Sequence, residues 1–161
     1  MKEVSLSGLR CTTPSAYASI QGSPAYPNLH GVIQFSERPN AVLVQVSVEG
    51  LPYTEEKCSG RFYGFHLHGG GSCTGSAQEP FANADGHYNP EECPHPFHAG
   101  DFPPLPGCHG IAWAAFLTDR FQIEDIIGRT VIIHEQPDDF HTQPSGNSGA
   151  MIGCGVIRRV K

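Results

Sequence analysis

The 161-residue sequence predicts an all-β domain of short strands joined by turns and long loops, and three observations carry that expectation. Its 19 glycines and 14 prolines punctuate the chain far too often for long helices. Charged residues make up only 16% of the chain, so the charge pairs that support surface helices are scarce. Period-two alternation recurs along the chain, and no segment carries a long amphipathic helical repeat. The length suits one domain over residues 1–161 with a sizeable core, and neither an internal repeat nor a linker divides it.

The first strands are expected at Tyr17 to Ile20 and Gly31 to Phe35. Val42, Val44, Val46 and Val48 alternate with residues such as Gln45 and Ser47, the pattern of a half-buried strand. Further strands are expected at Arg61 to His68, Ile111 to Thr118, Thr130 to His134 and Met151 to Ile157, with one short helical turn at Gln122 to Ile127. Between them, Gly69 to Gly110 is rich in Gly, Pro, Asp and His with little apolar periodicity. A loop that long in a compact domain usually carries function. Glu135 to Gly149 forms a second irregular stretch.

Composition also excludes partners. No apolar run approaches the ~18 residues of a membrane span, so no membrane partner is expected. A net charge of -6 with 10 Lys and Arg argues against nucleic acid, which needs a basic surface. The six cysteines contain no CxxC pair, so a zinc finger or thioredoxin-type motif is not expected. They read either as disulfides, which favour an extracytoplasmic (periplasmic or secreted) location, or as buried free thiols of a cytoplasmic protein. The opening residues MKEVSLSGLRCTTPS lack the apolar stretch of a signal peptide and point the other way, so the compartment stays open.

The nine histidines carry the chemistry. His66 and His68 lie two apart on an expected strand, so both imidazoles leave one face as a chelating pair while Tyr63, Phe65 and Leu67 supply the other. Alone, such a pair is a weak signal. His87, His95, His98 and Asp101 follow in the long loop, a mixed imidazole and carboxylate set that suits zinc. His134, at the end of Val131-Ile132-Ile133, would complete an imidazole-only set with His66 and His68 that suits copper. By itself His134 reads equally well as a satisfied core histidine; the joint pattern favours metal.

Five ordered segments, GFHLHGGGSCTG (64–75), DGHYNP (85–90), HAGDFPPL (98–105), IIGRTVIIHEQPDD (126–139) and GNSGAMIGCGVI (146–157), resemble the copper/zinc superoxide dismutase family, with a short bacterial-like spacer before Cys73. The resemblance implies a Greek-key β-sandwich or flattened barrel of about eight antiparallel strands with long metal-binding and electrostatic loops. It implies copper at His66, His68, His87 and His134, and zinc at His87, His95, His98 and Asp101, with His87 bridging. Asp138 would hold one histidine of each metal, His66 and His95, and Cys73 and Cys154 would form the disulfide. The implied activity is an antioxidant oxidoreductase reaction, dismutation of superoxide to dioxygen and hydrogen peroxide. His87 would take up a proton during the cycle.

The chain departs from the family where an Arg usually stands beside the copper: it reads Gly149-Ala150-Met151, with no Lys or Arg from Glu135 to Ile157. Reduced steering of the anion is therefore expected. His141 falls outside the ligand pattern but near the expected channel, with a small guiding role; His30 and His109 are expected to be solvated. Cys93 and Cys108 bracket the zinc-loop ligands and are expected to pair, leaving Cys11 with Cys58. Superoxide is the expected substrate, and a homodimer and a copper donor protein are the candidate protein partners, with Tyr53, Phe62, Tyr63 and Trp113 as candidate interface residues. Two other readings stand beside the enzyme: a copper and zinc carrier of the same fold, and a disulfide-stapled structural sandwich.

Overall fold

A computed structural model describes residues 13–58 and 61–161. Nine strands form one antiparallel sheet: β1 Ala16–Gly22, β2 His30–Arg38, β3 Ala41–Glu49, β4 Arg61–Tyr63, β5 Phe65–His68, β6 Leu105–Cys108, β7 Ile111–Thr118, β8 Thr130–His134 and β9 Met151–Arg159. The helical turn is α1, Ile123–Ile126, closed by reciprocal hydrogen bonds between Gln122 and Asp125. The sheet order is β4-β6-β7-β3-β2-β1-β9-β8-β5. β4 and β5 stand at opposite ends of that order, yet only Gly64 separates them in sequence. One residue spans less than ~4 Å, so the two ends lie side by side and the sheet rolls into a nearly closed barrel. The expected all-β class is what the structure has.

The alternation works as read. Val42, Val44, Val46 and Val48 all face the core with Ile33, Phe35, Phe65 and Leu67. Two elements differ from expectation. The segment from Arg61 to His68 is broken at Gly64, whose N–H donates to the Gln136 carbonyl while its own carbonyl accepts from His134. β6 lies inside the stretch read as loop, because Pro106 and Gly107 look like turn residues. Pro106 stands opposite Phe62 of β4, and since β7 pairs only with Gly107 and Cys108, no β7 residue is left waiting for the missing Pro106 N–H.

Of the candidate interface residues, Tyr63 is buried and its hydroxyl donates to the Pro52 carbonyl. Tyr53, Phe62 and Trp113 are exposed. The expected Cys93–Cys108 disulfide is corrected, since both are free thiols; the expected Cys11–Cys58 pair involves Cys11, which lies outside the described residues. Strand pairing explains the first case. Cys108 is fixed opposite Ile111 on β7, whereas the Cys93 backbone is clamped at both N–H and carbonyl by the Asn89 side chain. Cys73 and Cys154 do form a disulfide, tying the loop after β5 to β9.

Candidate metal centre

β5 is the last strand of the sheet, and an open edge there would leave backbone groups unpaired. The long loop covers it. Leu67 N–H donates to the Gly100 carbonyl at 2.9 Å, Tyr88 N–H to Leu67 at 2.8 Å, and Gly69 N–H to Gly86 at 2.9 Å. These bonds set His87 opposite His68 and Asp101 opposite His66 as isolated β-bridges. The end of β8, irregular between Ile133 and His134, brings His134 to the same place. Backbone pairing therefore gathers residues from distant parts of the chain.

Two ligand groups result, and His87 belongs to both. His66, His68, His87 and His134 form one, and His87, His95, His98 and Asp101 the other, each with its donor atoms within 4.8 Å of one another. In the first group the outward nitrogens are occupied. His66 Nε2–H donates to Asp138 at 2.7 Å, His68 Nδ1–H to the Asp85 carbonyl at 2.6 Å, and His134 Nδ1–H to the Gly149 carbonyl at 3.2 Å. Those bonds fix the tautomers and leave His66 Nδ1, His68 Nε2 and His134 Nε2 as bare acceptors. His68 Nε2 and His134 Nε2 face each other at 3.3 Å, an arrangement of two lone pairs that only a shared cation makes favourable. His66 Nδ1 and His87 Nε2 are buried with no hydrogen-bond partner, which is the same signature.

On the other side, His87 Nδ1 lies 2.7 Å from Asp101 Oδ1, His95 Nδ1 3.1 Å from Asp101 Oδ2, and His98 Nδ1 3.4 Å from His87 Nδ1. His95 Nδ1 lacks a hydrogen bond despite that proximity, so it too is aimed at a common centre. Asp138 joins the groups. Its Oδ2 accepts from His66 and its Oδ1 from His95 Nε2 at 2.9 Å, with a further bond from Phe140 N–H. Both donor sets fit the metals expected of them: four imidazoles for copper, three imidazoles and a carboxylate for zinc.

Electrostatics keeps the donors ready. Burial pushes His66, His68 and His134 below the ordinary histidine range, His134 to about 3, with the neighbouring imidazoles adding to the shift. A neutral imidazole is the form that binds metal. Burial would raise Asp138, but the hydrogen bonds from His66, Phe140 and His95 outweigh it and hold the carboxyl well below its usual range. Asp101 is lowered in the same way: burial raises it, and the His87 bond with neighbouring charges overcomes that.

A cavity of about 800 Å³ opens over the first group, and Met151 lines it with His68, His87 and His134. His141, expected near the channel, is not among the residues that line it. Its side chain is 79% exposed and bonds back to the Asp139 carbonyl. Several supporting groups escaped the sequence reading. Arg120 donates to the carbonyls of His98 and Asp101 at 2.9 and 3.4 Å, and Gln143 brackets the His95 backbone at both N–H and carbonyl. The Asp85 and Gly149 carbonyls that set tautomers have no side-chain signature at all. Arg120 and Gln143 are ordinary polar residues whose partners only the fold reveals.

A nearly closed antiparallel barrel with a four-histidine group and a three-histidine, one-carboxylate group sharing a single ring defines a protein of paired copper and zinc. Residues 29–157 match the family described as copper/zinc superoxide dismutase (SODC), and the chain belongs to that family. It is 30% identical over 148 residues to a Cu-Zn superoxide dismutase of Deinococcus radiodurans, an alignment covering 81% of this chain and 78% of that protein. It is likewise 30% identical over 143 residues to Cu-Zn superoxide dismutase 2 of Aquifex aeolicus, covering 80% and 78%. Against the superoxide dismutase-like protein YojM of Bacillus subtilis it is 40% identical over 113 residues, covering 61% and 56%. Copper and zinc are its cofactors, and superoxide dismutation is the general activity that the family and the ligand groups support.

Proposed function

We propose that this chain dismutes superoxide at its own histidine centre, with His66, His68, His87 and His134 holding copper and His87, His95, His98 and Asp101 holding zinc. The observation that carries the reading is the convergence of bare, tautomer-fixed nitrogens on two centres that share His87. When bound, copper supplies the one-electron exchange that oxidises one superoxide to dioxygen and reduces the next, with two protons, to hydrogen peroxide, while zinc supplies a fixed charge beside it. His87 is the one ring whose two nitrogens serve different groups, so it is placed to hold a proton at Nε2 while Nδ1 stays with the Asp101 side. Asp138, kept ionised, orients His66 and His95 together and makes the two centres one mechanical unit.

A second reading, a copper and zinc carrier with little turnover, draws on one observation: Met151 lines the cavity, and among the described residues no Lys or Arg does, whereas the family resemblance implies an Arg at this position. Positive potential raises anion encounter ~10- to 1000-fold, so its loss slows the reaction without removing the chemistry. Pulse radiolysis on protein of measured copper and zinc content separates the two. Copper-dependent decay of superoxide above background is expected; full copper occupancy with background decay would leave the carrier.

A further inference from the structure

The cavity above the four-histidine group has the wrong sign for an anion and the right one for a metal ion. Among the described residues, segments 62–119 and 134–157 supply its walls, and neither contains a Lys or Arg. They contribute instead Glu79 and Asp85, both exposed. Two sulfur side chains line the same cavity, the thioether of Met151 and the free thiol of Cys93. Met151 sits directly across the β8–β9 ladder from His134. At the inner end, His87 Nε2 has no hydrogen-bond partner and its side chain is only 3% exposed.

Each feature selects for one kind of ligand. Carboxylates at a rim raise the local concentration of cations and lower that of anions. Thioether and thiol donors are soft, and among the metals this protein handles they prefer monovalent copper to zinc. The buried imidazole acceptors beyond them make a stronger final site than either sulfur alone. Such a gradient of donors moves an ion inward.

We propose that this cavity is the intake path for copper(I), in which Glu79 and Asp85 gather the cation and Met151, with Cys93, passes it to His134 and the neighbouring imidazoles. The proposal rests on the reading of His66, His68, His87 and His134 as the copper site. The transfer is ligand exchange: one copper–sulfur bond gives way to a copper–nitrogen bond, with no change of oxidation state; Cys93 gives up its proton to solvent when its sulfur binds the ion and takes one back from solvent when the ion moves on. Met151 also packs beside Phe81, Ile132 and Cys154. Leucine would keep that packing and remove the sulfur, so the two roles can be separated.

The test uses the full chain loaded with zinc and free of copper. Copper(I) is supplied from a chromogenic chelator, and uptake is followed by stopped flow in wild type, Met151→Leu, Cys93→Ser and the double variant Glu79→Gln, Asp85→Asn. Loss of the thioether is expected to slow uptake by about tenfold, the low end of what removing a supporting group costs a metal site, with final copper per chain unchanged. Added salt should slow wild type and have less effect on the carboxylate variant. The chain has two methionines, so methyl-labelled protein gives two signals, and titration with silver(I) as a redox-inert stand-in should move Met151 and leave Met1 as the reference. Met151→Leu filling at the wild-type rate, or a Met151 methyl that stays put while silver(I) binds, would overturn the intake path. Wild type that takes up no copper at all would overturn the copper-site reading beneath it.

Discussion

Gly146→Ala is expected to disable both metal groups through one methyl group. Gly146 has φ +69°, and a Cβ there would lie 2.0 Å from Asp138 Oδ1, 2.5 Å from its Cγ and 2.8 Å from His95 Nε2. Ordinary contact begins near 3.4 Å, so the carboxylate must retreat by about 1.4 Å. Its bonds to His66 Nε2 and His95 Nε2, now 2.7 and 2.9 Å, would then stretch past hydrogen-bonding range. Hydrogen bonds to a charged partner contribute about 1.5–3 kcal/mol each, and two are at risk. A non-glycine residue in this backbone region costs a further ~1–2 kcal/mol. Metal affinity should fall by about 10- to 100-fold for zinc and copper alike, because one carboxylate orients a histidine of each. Competition with chelators of known affinity measures it. Gly128→Ala provides the control: its φ is +83°, but no heavy atom lies within 4 Å of the added Cβ. That variant meets the backbone cost alone and should keep both affinities. Wild-type affinity for both metals in Gly146→Ala would refute the coupling assigned to Asp138.

Other expectations test the supports around the centre. Arg120→Ala removes the donor that pins the His98 and Asp101 carbonyls, and zinc affinity should drop by about tenfold with copper affinity less affected; equal losses for both metals would argue against a zinc-loop role. Reducing Cys73–Cys154 opens a loop spanning 81 residues of sequence and should lower unfolding free energy by roughly 4 kcal/mol, read from urea unfolding with and without reductant. In metal-free protein, His134 is held at about 3 in the fold against 6.5 ordinarily, so between those values the unfolded chain binds the extra proton. Stability should therefore be full above about pH 6.5 and fall as pH drops toward 3, and a urea midpoint constant across that window would contradict the burial argument. Met151→Arg should raise superoxide decay more at low than at high salt, and equal gains at every ionic strength would remove steering as the cause.

The parts of the fold that were legible in the sequence are those governed by local chemistry. The valines of β3 announced their face, and β8 and β7 begin and end where their apolar runs do. β6 was hidden because Pro106 and Gly107 obey turn chemistry everywhere except beside a strand that makes no demand on the proline. All seven residues that the structure gathers were legible as candidate donors from their types and order, while the sharing of His87 between the two groups was implied only by the family resemblance. What the spacing could not carry is the tautomer of each ring. Backbone carbonyls of Asp85 and Gly149 fix two of them, and a carbonyl looks the same on every residue. Cysteine pairing failed for a related reason: bracketing in sequence says nothing of where Asn89 holds Cys93 or where β7 holds Cys108.

Position 151 sits where two demands on the same cavity conflict. An arginine there would draw an anion toward the histidines, and its charge would oppose the arrival of a copper cation by the same route. A methionine reverses both effects, offering a soft donor opposite His134 and no field for superoxide. Glu79 and Asp85 push in the same direction as Met151, so the methionine agrees with its surroundings. Met151→Arg should then gain in dismutation on copper-loaded protein and lose in the rate of copper(I) uptake by copper-free protein. Opposite signs in those two rates, measured on one preparation, are what a shared channel requires; a gain in both would mean that metal and substrate reach the histidines by different paths.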